Sequence, residues 1–311
     1  MAQCLIISAR GKRGHERQAI AIAQRLALSY SVSIAQEFPI RTHIPPECLC
    51  LIAAGRQSLA PARSVARRDG VRPFVLALQP VLWRPGDFDA IWSPLHDRRW
   101  FDRLLPPRIE TLTAPSAVTA ADRASGAALL APRLRRRPGG VVGVIVGGAT
   151  ADAPFGEVDA ARLADAVAGL AHRHDVTLAL TTSRRTGEAQ TRLLEERLGG
   201  DGHVIVNADA PDSALIYAGL LELADAFVVT ADSVAMLSDA ATTGKPIHAW
   251  RIGRGKRRFE RFHNGLITYG AMRWFDGDLP SWAYAPLDAA ADVANVLRPR
   301  LGLLHAAAQY K

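Results

Sequence analysis

The sequence predicts an α/β protein built from two Rossmann-like, doubly wound domains facing each other across a cleft. Three observations predict it. Short apolar runs alternate with amphipathic runs of helical length along the whole chain, which is the pattern of parallel βαβ units. The short runs are continuously apolar rather than alternating, as in strands covered on both faces. The 311 residues exceed one ordinary core and suit two of about 150 residues each.

The first half begins with a strand at Cys4–Ser8. A helix over His15–Ala27 follows, its apolar face made by Ala19, Ile20, Ile22, Ala23 and Leu26. Strands are expected at Ser31–Ala35, Cys48–Ala53 and Phe74–Leu78, with a helix over Gln57–Arg68 and one more short strand at Asp89–Trp92. Leu134–Gly140, a charge run closed by Pro and two Gly, reads as a linker. The pattern then restarts. Strands are expected at Val141–Val146, Thr177–Thr181, His203–Asn207, Ala226–Thr230 and Pro246–Trp250. The helices between them cover Asp159–His172, Gly187–Leu198, Ser213–Leu223 and Ser233–Thr242. A last helix runs from Ala289 to about Gln309 and is expected to return to the first domain. The expected domains are 1–137, 138–286 and this terminal helix, 287–311.

Composition narrows the classes of function. Hydrophobic residues make up 49% and charged residues 22%, an ordinary folded balance. No stretch reaches roughly 18 consecutive apolar residues, and the opening residues read as a strand rather than as a secretory leader. Cys4, Cys48 and Cys50 are odd in number, lack a CxxC spacing and lie in apolar runs. Buried thiols are therefore expected, not disulfides or a zinc site. Residues 1–138 carry 21 Lys/Arg against 10 Asp/Glu, while residues 139–311 carry 17 against 20. A basic first half suits a polyanion or an anionic membrane surface. Since 34 of the 38 basic residues are Arg, genome composition is an alternative source of the bias. No interleaving of aromatic and basic residues points to nucleic acid.

In doubly wound folds, ligands lie at the carboxyl ends of the strands, so the loops that follow strands carry the chemistry. The loop Ala9–Gln18 holds Gly11 and Gly14 and brings His15 to a helix start. Histidine there suits a general base, or simply a capping or exposed side chain. Gly147-Gly148 follow the first strand of the second half and permit close approach of backbone N–H groups to a phosphate, or make a plain tight turn. Thr181–Thr186 place hydroxyls and the guanidiniums of Arg184 and Arg185 at a strand end, an anion site or a solvated helix start. Asp232-Ser233 open a helix on which Asp239 lies seven residues further on the same face. The helix N-terminus suits a phosphate and the carboxylate suits ribose hydroxyls; N-capping and a solvated face are the alternatives. His96-Asp97, after Pro94, form either an acid/base pair or a structural turn. They are too few for a metal site.

The run Thr230 to Pro246, T-x-D-S-x-x-M-x-[SD]-[ED]-A-x-x-x-G-K-P, resembles the donor-binding helix of GT-B glycosyltransferases. More closely, the chain resembles the bacterial and plant family named after the Elm mitochondrial-fission protein, which is grouped with those enzymes. Gly14, His15 and Gln18 match its G-H-x-x-Q opening, and Gly55 and Arg56 its G-R pair. Phe88, Asp89, Pro94, His96 and Asp97 match F-D-x-x-x-x-P-x-H-D, and Thr182 to Thr186 match T-S-R-R-T. Asp239 stands where the family tends to have Glu, and Arg17 where Asn is frequent. The G-x-x-G-H opening is also similar to that of the GlcNAc transferase that makes lipid II.

The resemblance implies a metal-independent glycosyltransferase of GT-B fold, with a nucleotide-diphosphate sugar, UDP-linked, as donor and no cofactor. It implies donor contacts from Gly147, Gly148, Thr182, Ser183, Arg184, Arg185, Asp232, Ser233, Met236 and Asp239. Acceptor contacts would come from Gly14, Gln18, Gly55 and Arg56. His15 would deprotonate the acceptor, with His96 or Asp97 as the second choice. An anionic glycan or glycolipid such as a lipopolysaccharide core suits the basic half, with the protein cytoplasmic and peripheral on the inner membrane face. A GT-B epimerase or hydrolase, or a non-catalytic membrane-associated interaction protein on the same scaffold, are the alternatives.

Overall fold

Apolar strand segments separated by helix-length connections can pair only in parallel, and they do so in two sheets. The computed structural model describes residues 3–11, 13–37, 44–67, 72–98, 108–150, 154–200, 202–253 and 257–303. The chain divides into two compact units, one formed by Met1–Ala117 with Asp288–Lys311, the other by Val118–Leu287.

Unit 1 contains β1 (Cys4–Ser8), α1 (Arg13–Arg25), β2 (Tyr30–Ile34), β3 (Cys50–Ala54) and α2 (Leu59–Ala66). It continues through β4 (Phe74–Ala77), β5 (Ala90–Pro94) and β6 (Ile109–Thr111). Among the described residues these strands form one six-stranded parallel sheet in the order β2-β1-β3-β4-β5-β6. Alternate residues of each strand feed opposite faces. Cys4, Ile6, Cys50, Ile52 and Leu76 pack with Ile22 and Leu26 of α1 and with Val293 and Leu297 of the terminal helix. Ile7, Leu51, Ala53 and Val75 pack with Ala62 and Val65 of α2 and with Phe88. The three cysteines are free and buried.

Unit 2 contains α3 (Ala120–Leu130), β7 (Val141–Ile145), α4 (Glu157–His174), β8 (Thr177–Thr181), α5 (Glu188–Leu198) and β9 (Val204–Val206). It ends with α6 (Ser213–Leu223), β10 (Ala226–Thr230), α7 (Val234–Ala241), β11 (Ile247–Trp250), α8 (Arg257–Tyr269) and β12 (Met272–Trp274). The described strands form a second six-stranded parallel sheet, ordered β12-β11-β10-β7-β8-β9. Val142, Val144, Leu178, Leu180 and Val228 bury against Leu163, Val167 and Leu170 of α4 and Leu194 of α5. Each unit is thus a doubly wound α/β domain.

Several elements differ from the sequence expectation. The chain leaves unit 1 at Ala117, whereas the sequence suggests a boundary at 137/138. The intervening α3 lies against α6, where Gly126 and Gly219 bring the two backbones together with no room for a Cβ. Leu134–Gly140, which reads as a linker, is tied into unit 2 by ion pairs of Arg136 to Asp225 at 3.4 Å and Arg137 to Asp175 at 4.0 Å, and Arg133 just before it pairs with Asp212 at 2.8 Å. By this division the whole excess charge belongs to unit 1, with 19 Lys/Arg against 11 Asp/Glu, while unit 2 is balanced at 19 each. Helix α1 starts at Arg13, not His15. Two strands, β6 and β12, and two helices, α3 and α8, are additions. The terminal helix α9 (Ala289–Leu297) packs on α1 and stops before Pro299, which cannot continue a helix. Residues 304–309 of the longer helix expected there lie outside the described residues.

Candidate functional site

Strand order locates the sites before any side chain is considered. In a doubly wound sheet, the crevice opens where successive connections leave for opposite faces. In unit 1 that point lies between β1 and β3, and in unit 2 between β7 and β10. The loops with the strongest sequence signal follow β1, β7 and β10 of these, and the neighbouring β8.

In unit 2 the loops after β7, β8 and β10 are knitted into one cluster. Gly147 donates its N–H to Thr230 Oγ1 at 2.7 Å, and Gly148 donates to Asp232 Oδ2 at 3.1 Å. Ser183 Oγ donates to the Gly147 carbonyl at 2.6 Å, and the Thr186 hydroxyl also donates there. The N–H of Ala149 reaches the Arg185 carbonyl at 3.2 Å. A Cβ on Gly147 would fall 2.7 Å from Asp232 Cγ, and one on Gly148 would overlap the Arg185 backbone. The paired glycines therefore admit the neighbouring loops, and their N–H groups are occupied by Thr230 and Asp232.

Asp232 is the centre of this cluster. Its side chain is fully buried and pairs with Arg185, itself 46% exposed, at 3.1 Å. Its other oxygen, Oδ1, is enclosed without a hydrogen-bond partner among the described residues. Arg184, by contrast, is exposed. Ser233 caps α7 by accepting from the Met236 N–H at 3.4 Å. Thr182 Oγ1 accepts from the Ala208 N–H at 3.2 Å. Asp239, on α7, accepts from the Tyr217 hydroxyl at 2.9 Å. Met236 is half-buried on the same helix. Of the ten residues expected to hold a donor, Gly147, Gly148, Ser183, Arg185 and Asp232 meet in this cluster, with several of their polar atoms engaged in holding the loops, while Asp239 lies two turns along α7 against Tyr217.

In unit 1, Gly55 follows β3 with φ of +96°, a conformation that favours glycine. A Cβ there would stand 2.9 Å from Ala9 Cβ and 3.2 Å from His15 Nδ1. The loop after β1, the first turn of α1 and the loop after β3 therefore meet around His15. Gln18, one turn on, has its Oε1 enclosed without a partner among the described residues, as have Ser8 Oγ, Gln79 Nε2 and Ser93 Oγ. These groups lie at or near the carboxyl ends of β1, β4 and β5. Gly14 has open space around its Cα, and Arg56 is exposed. His96 is buried in a helical turn after β5, with Asp97 half-buried beside it. Because β3 and β4 lie between β1 and β5, the strands that lead into the His15 and His96 loops are about 14 Å apart along the edge.

Some residues of the cluster are not among the expected contacts, although Thr230 and Thr186 lie at the ends of the quoted motifs. Thr230 and Thr186 receive or supply its internal hydrogen bonds. His263, on α8, bonds through Nε2 to the Ala231 carbonyl at 2.9 Å, and burial pushes its pKa below the ordinary value. Arg251, just after β11, stacks its guanidinium 3.6 Å over the Trp274 ring. That ring meets His263 edge-on at 5.2 Å. Helix α8 is absent from the sequence expectation although its signal is there: Phe262 and Leu266 recur at helical spacing and form its buried apolar side.

The comparisons with known proteins agree with the architecture. A protein of Arabidopsis thaliana described as Mitochondrial fission protein ELM1 is 28% identical over 276 residues. That match spans 81% of this chain but 64% of the relative, less than two thirds of its length. Among solved structures, the UDP-GlcNAc 2-epimerase from Methanocaldococcus jannaschii superposes with a TM-score of 0.57 at 10% identity, covering 96% of this chain and 99% of that one. The E. coli ADP-heptose lps heptosyltransferase II gives 0.50 at 13% identity, covering 96% and 98%. These two share the fold, which is GT-B. The family model for Mitochondrial fission ELM1 matches residues 13–301, and the chain belongs to that family.

Proposed function

We propose that this chain transfers a sugar from a nucleotide-diphosphate donor to an anionic glycan or glycolipid acceptor. The observation that carries the reading is the loop cluster around Asp232. A buried carboxylate oxygen without a partner is costly, and such exceptions concentrate where structure serves binding rather than stability. Here it sits at the switch point of unit 2, beside an exposed Arg184 and the N-terminus of α7. Both solved structures of the same fold are named for nucleotide-diphosphate sugars.

On this reading Arg184 and the N–H groups at the start of α7 neutralise the departing diphosphate, fixed charge placed before the reaction begins. Arg185 stays paired to Asp232 and positions the loop. Asp239, shared with Tyr217, takes the ribose. The acceptor is held by unit 1, where Gln18, Ser8, Gln79 and Ser93 offer unsatisfied polar atoms. His15 takes the proton of the attacking hydroxyl, with His96 and Asp97 as a second acid/base pair further along the edge. No cofactor is called for, and a UDP-linked sugar is the donor to try first. Among the described residues no helix is long and apolar enough to cross a membrane; a lipid-anchored acceptor on the inner membrane face, met peripherally, is part of the proposal.

A second reading keeps the scaffold but not the chemistry. The relative from Arabidopsis thaliana is named for mitochondrial fission, and the hydroxyls of Thr182, Ser183 and Thr186 are engaged within the loops. Thermal stabilisation by UDP, GDP, CMP and ADP separates the two. A nucleotide at 100 times its Kd adds about 2.7 kcal/mol, several degrees in Tm. The transfer reading expects one nucleotide to do this and Arg184→Ala to abolish it. No shift with any of the four overturns it in favour of the second reading. Turnover of a UDP-sugar without acceptor would instead indicate an epimerase or hydrolase.

A further inference from the structure

We propose that the loop Leu82–Arg84 of unit 1 is a docking element for an anionic lipid bilayer. The proposal deepens the glycolipid-acceptor reading and rests on it for its purpose, though its observations are separate. The loop follows β4 and lies against the last turn of α2. Trp83 is 64% exposed, more than any other aromatic side chain among the described residues, and Leu82 beside it is 52% exposed. Two large apolar side chains adjacent in sequence and turned to solvent are unusual in a unit whose core is otherwise well covered.

The surroundings of these two side chains are cationic. The Arg84 guanidinium lies 4.8 Å from the Trp83 ring centroid and that of Arg63 lies 4.9 Å from it. Arg63 also donates to the Trp83 carbonyl at 2.7 Å, which fixes the loop to α2. Asp87 is the carboxylate of the group, taking Arg63 at 2.7 Å and Arg67 at 2.6 Å. Three guanidiniums against one carboxylate leave the patch positive, on the unit that carries the whole of the chain's net charge of +8. Arg84 holds a left-handed backbone, φ +49°, uncommon for a residue with a side chain.

A Trp and a Leu projecting from a cationic collar match a bilayer interface. The indole settles at the headgroup level, the Leu enters the acyl boundary, and the exposed Arg84 guanidinium meets a phosphate, while Arg63 and Arg67, paired to Asp87, hold the loop and add to the positive field. A second copy of the chain fits poorly, since it would set two units of net positive charge face to face. An acidic protein is the remaining alternative, and it has no use for two exposed apolar tips of this size.

The test is co-sedimentation of the full chain with vesicles of phosphatidylglycerol and phosphatidylcholine, or of phosphatidylcholine alone. Binding to the anionic vesicles and not to the neutral ones is expected, weakened by 0.5 M salt as surface charge is screened. Trp83→Ser and Leu82→Ser should each weaken it about ten-fold, and Arg84→Glu at least as much. These side chains are exposed, so the Tm and the response to nucleotide should match the parent, which separates failure of docking from failure of the donor site. The proposal is overturned if the chain ignores anionic vesicles, if Trp83→Ser and Leu82→Ser bind as the parent does, or if polyglutamate binds where vesicles do not.

Discussion

Replacing Gly148 by Ala distinguishes two roles for the glycine pair after β7: making room for a phosphate, or making room for the loop after β8. A Cβ at this position would lie closer than 3.0 Å to the Arg185 carbonyl carbon, its oxygen and the Thr186 nitrogen, all backbone atoms that cannot rotate away. The two loops must separate. Separation breaks the Ala149 N–H bond to the Arg185 carbonyl and loosens the Gly148 bond to Asp232, at 3.2 and 3.1 Å. Two hydrogen bonds, one of them buried, at about 1 kcal/mol each, with about 1–3 kcal/mol of overpacking, are offset by about 0.4–1 kcal/mol from a stiffer unfolded chain. The net loss is about 2–4 kcal/mol, a fall of roughly 5–15 °C in Tm for a unit of this size. Differential scanning calorimetry of the nucleotide-free protein measures it. A variant that melts within 2 °C of the parent yet loses nucleotide stabilisation would refute the packing argument and restore the phosphate role.

Other outcomes follow from the same kind of accounting. Thr230→Val keeps shape but strands the Gly147 N–H, and should cost about 1–3 kcal/mol in urea unfolding. Gly219→Ala drives a methyl into the Gly126 backbone where α3 meets α6, and should lower the Tm of unit 2 by several degrees, whereas the same change at the open, exposed Gly14 should not lower stability comparably. Asp288→Ala removes the N-cap of α9 (Ala291 N–H, 3.0 Å) and its pair with Arg25 at 2.7 Å, costing about 1–2 kcal/mol. Burial pushes the His248 pKa down to about 4, below the ordinary 6.5 of an unfolded chain. The unfolded state therefore binds the proton first as pH falls. Stability is full above pH 6.5 and drops toward pH 4, by about 2 kcal/mol at pH 5. His248→Phe, which keeps a ring against Trp282, should flatten the difference in unfolding free energy between pH 7 and pH 5; an unchanged difference would assign the acid sensitivity elsewhere.

Local sequence determined a great deal. Period and apolar continuity placed most strands within a residue or two, because a strand covered on both faces is continuously apolar, as Cys50–Ala54 is and as Ala226–Thr230 is up to its last residue. Glycines and hydroxyl residues after those strands marked the loops that would gather, since few residue types permit such turns. Short or polar elements were not legible: β12, three residues with an exposed Arg273 at its centre, and β6 draw their stability from the neighbouring strand rather than from their own composition. The Arg-rich stretch before β7 looked like a linker because a charge run carries no sign of its partners, and those partners, Asp225 and Asp175, are distant in sequence. The same holds for the candidate site. Sequence could nominate Gly147, Arg184, Arg185, Asp232 and Asp239 by residue type, but not divide them. Only the tertiary structure gives Arg185 to Asp232, Asp239 to Tyr217 and the glycine N–H groups to neighbouring loops, leaving Arg184 toward solvent and one buried carboxylate oxygen unsatisfied. Hydrogen bonds are short-range and directional, so their allocation is decided when the strands fix which loops meet, and no spacing along the chain encodes it.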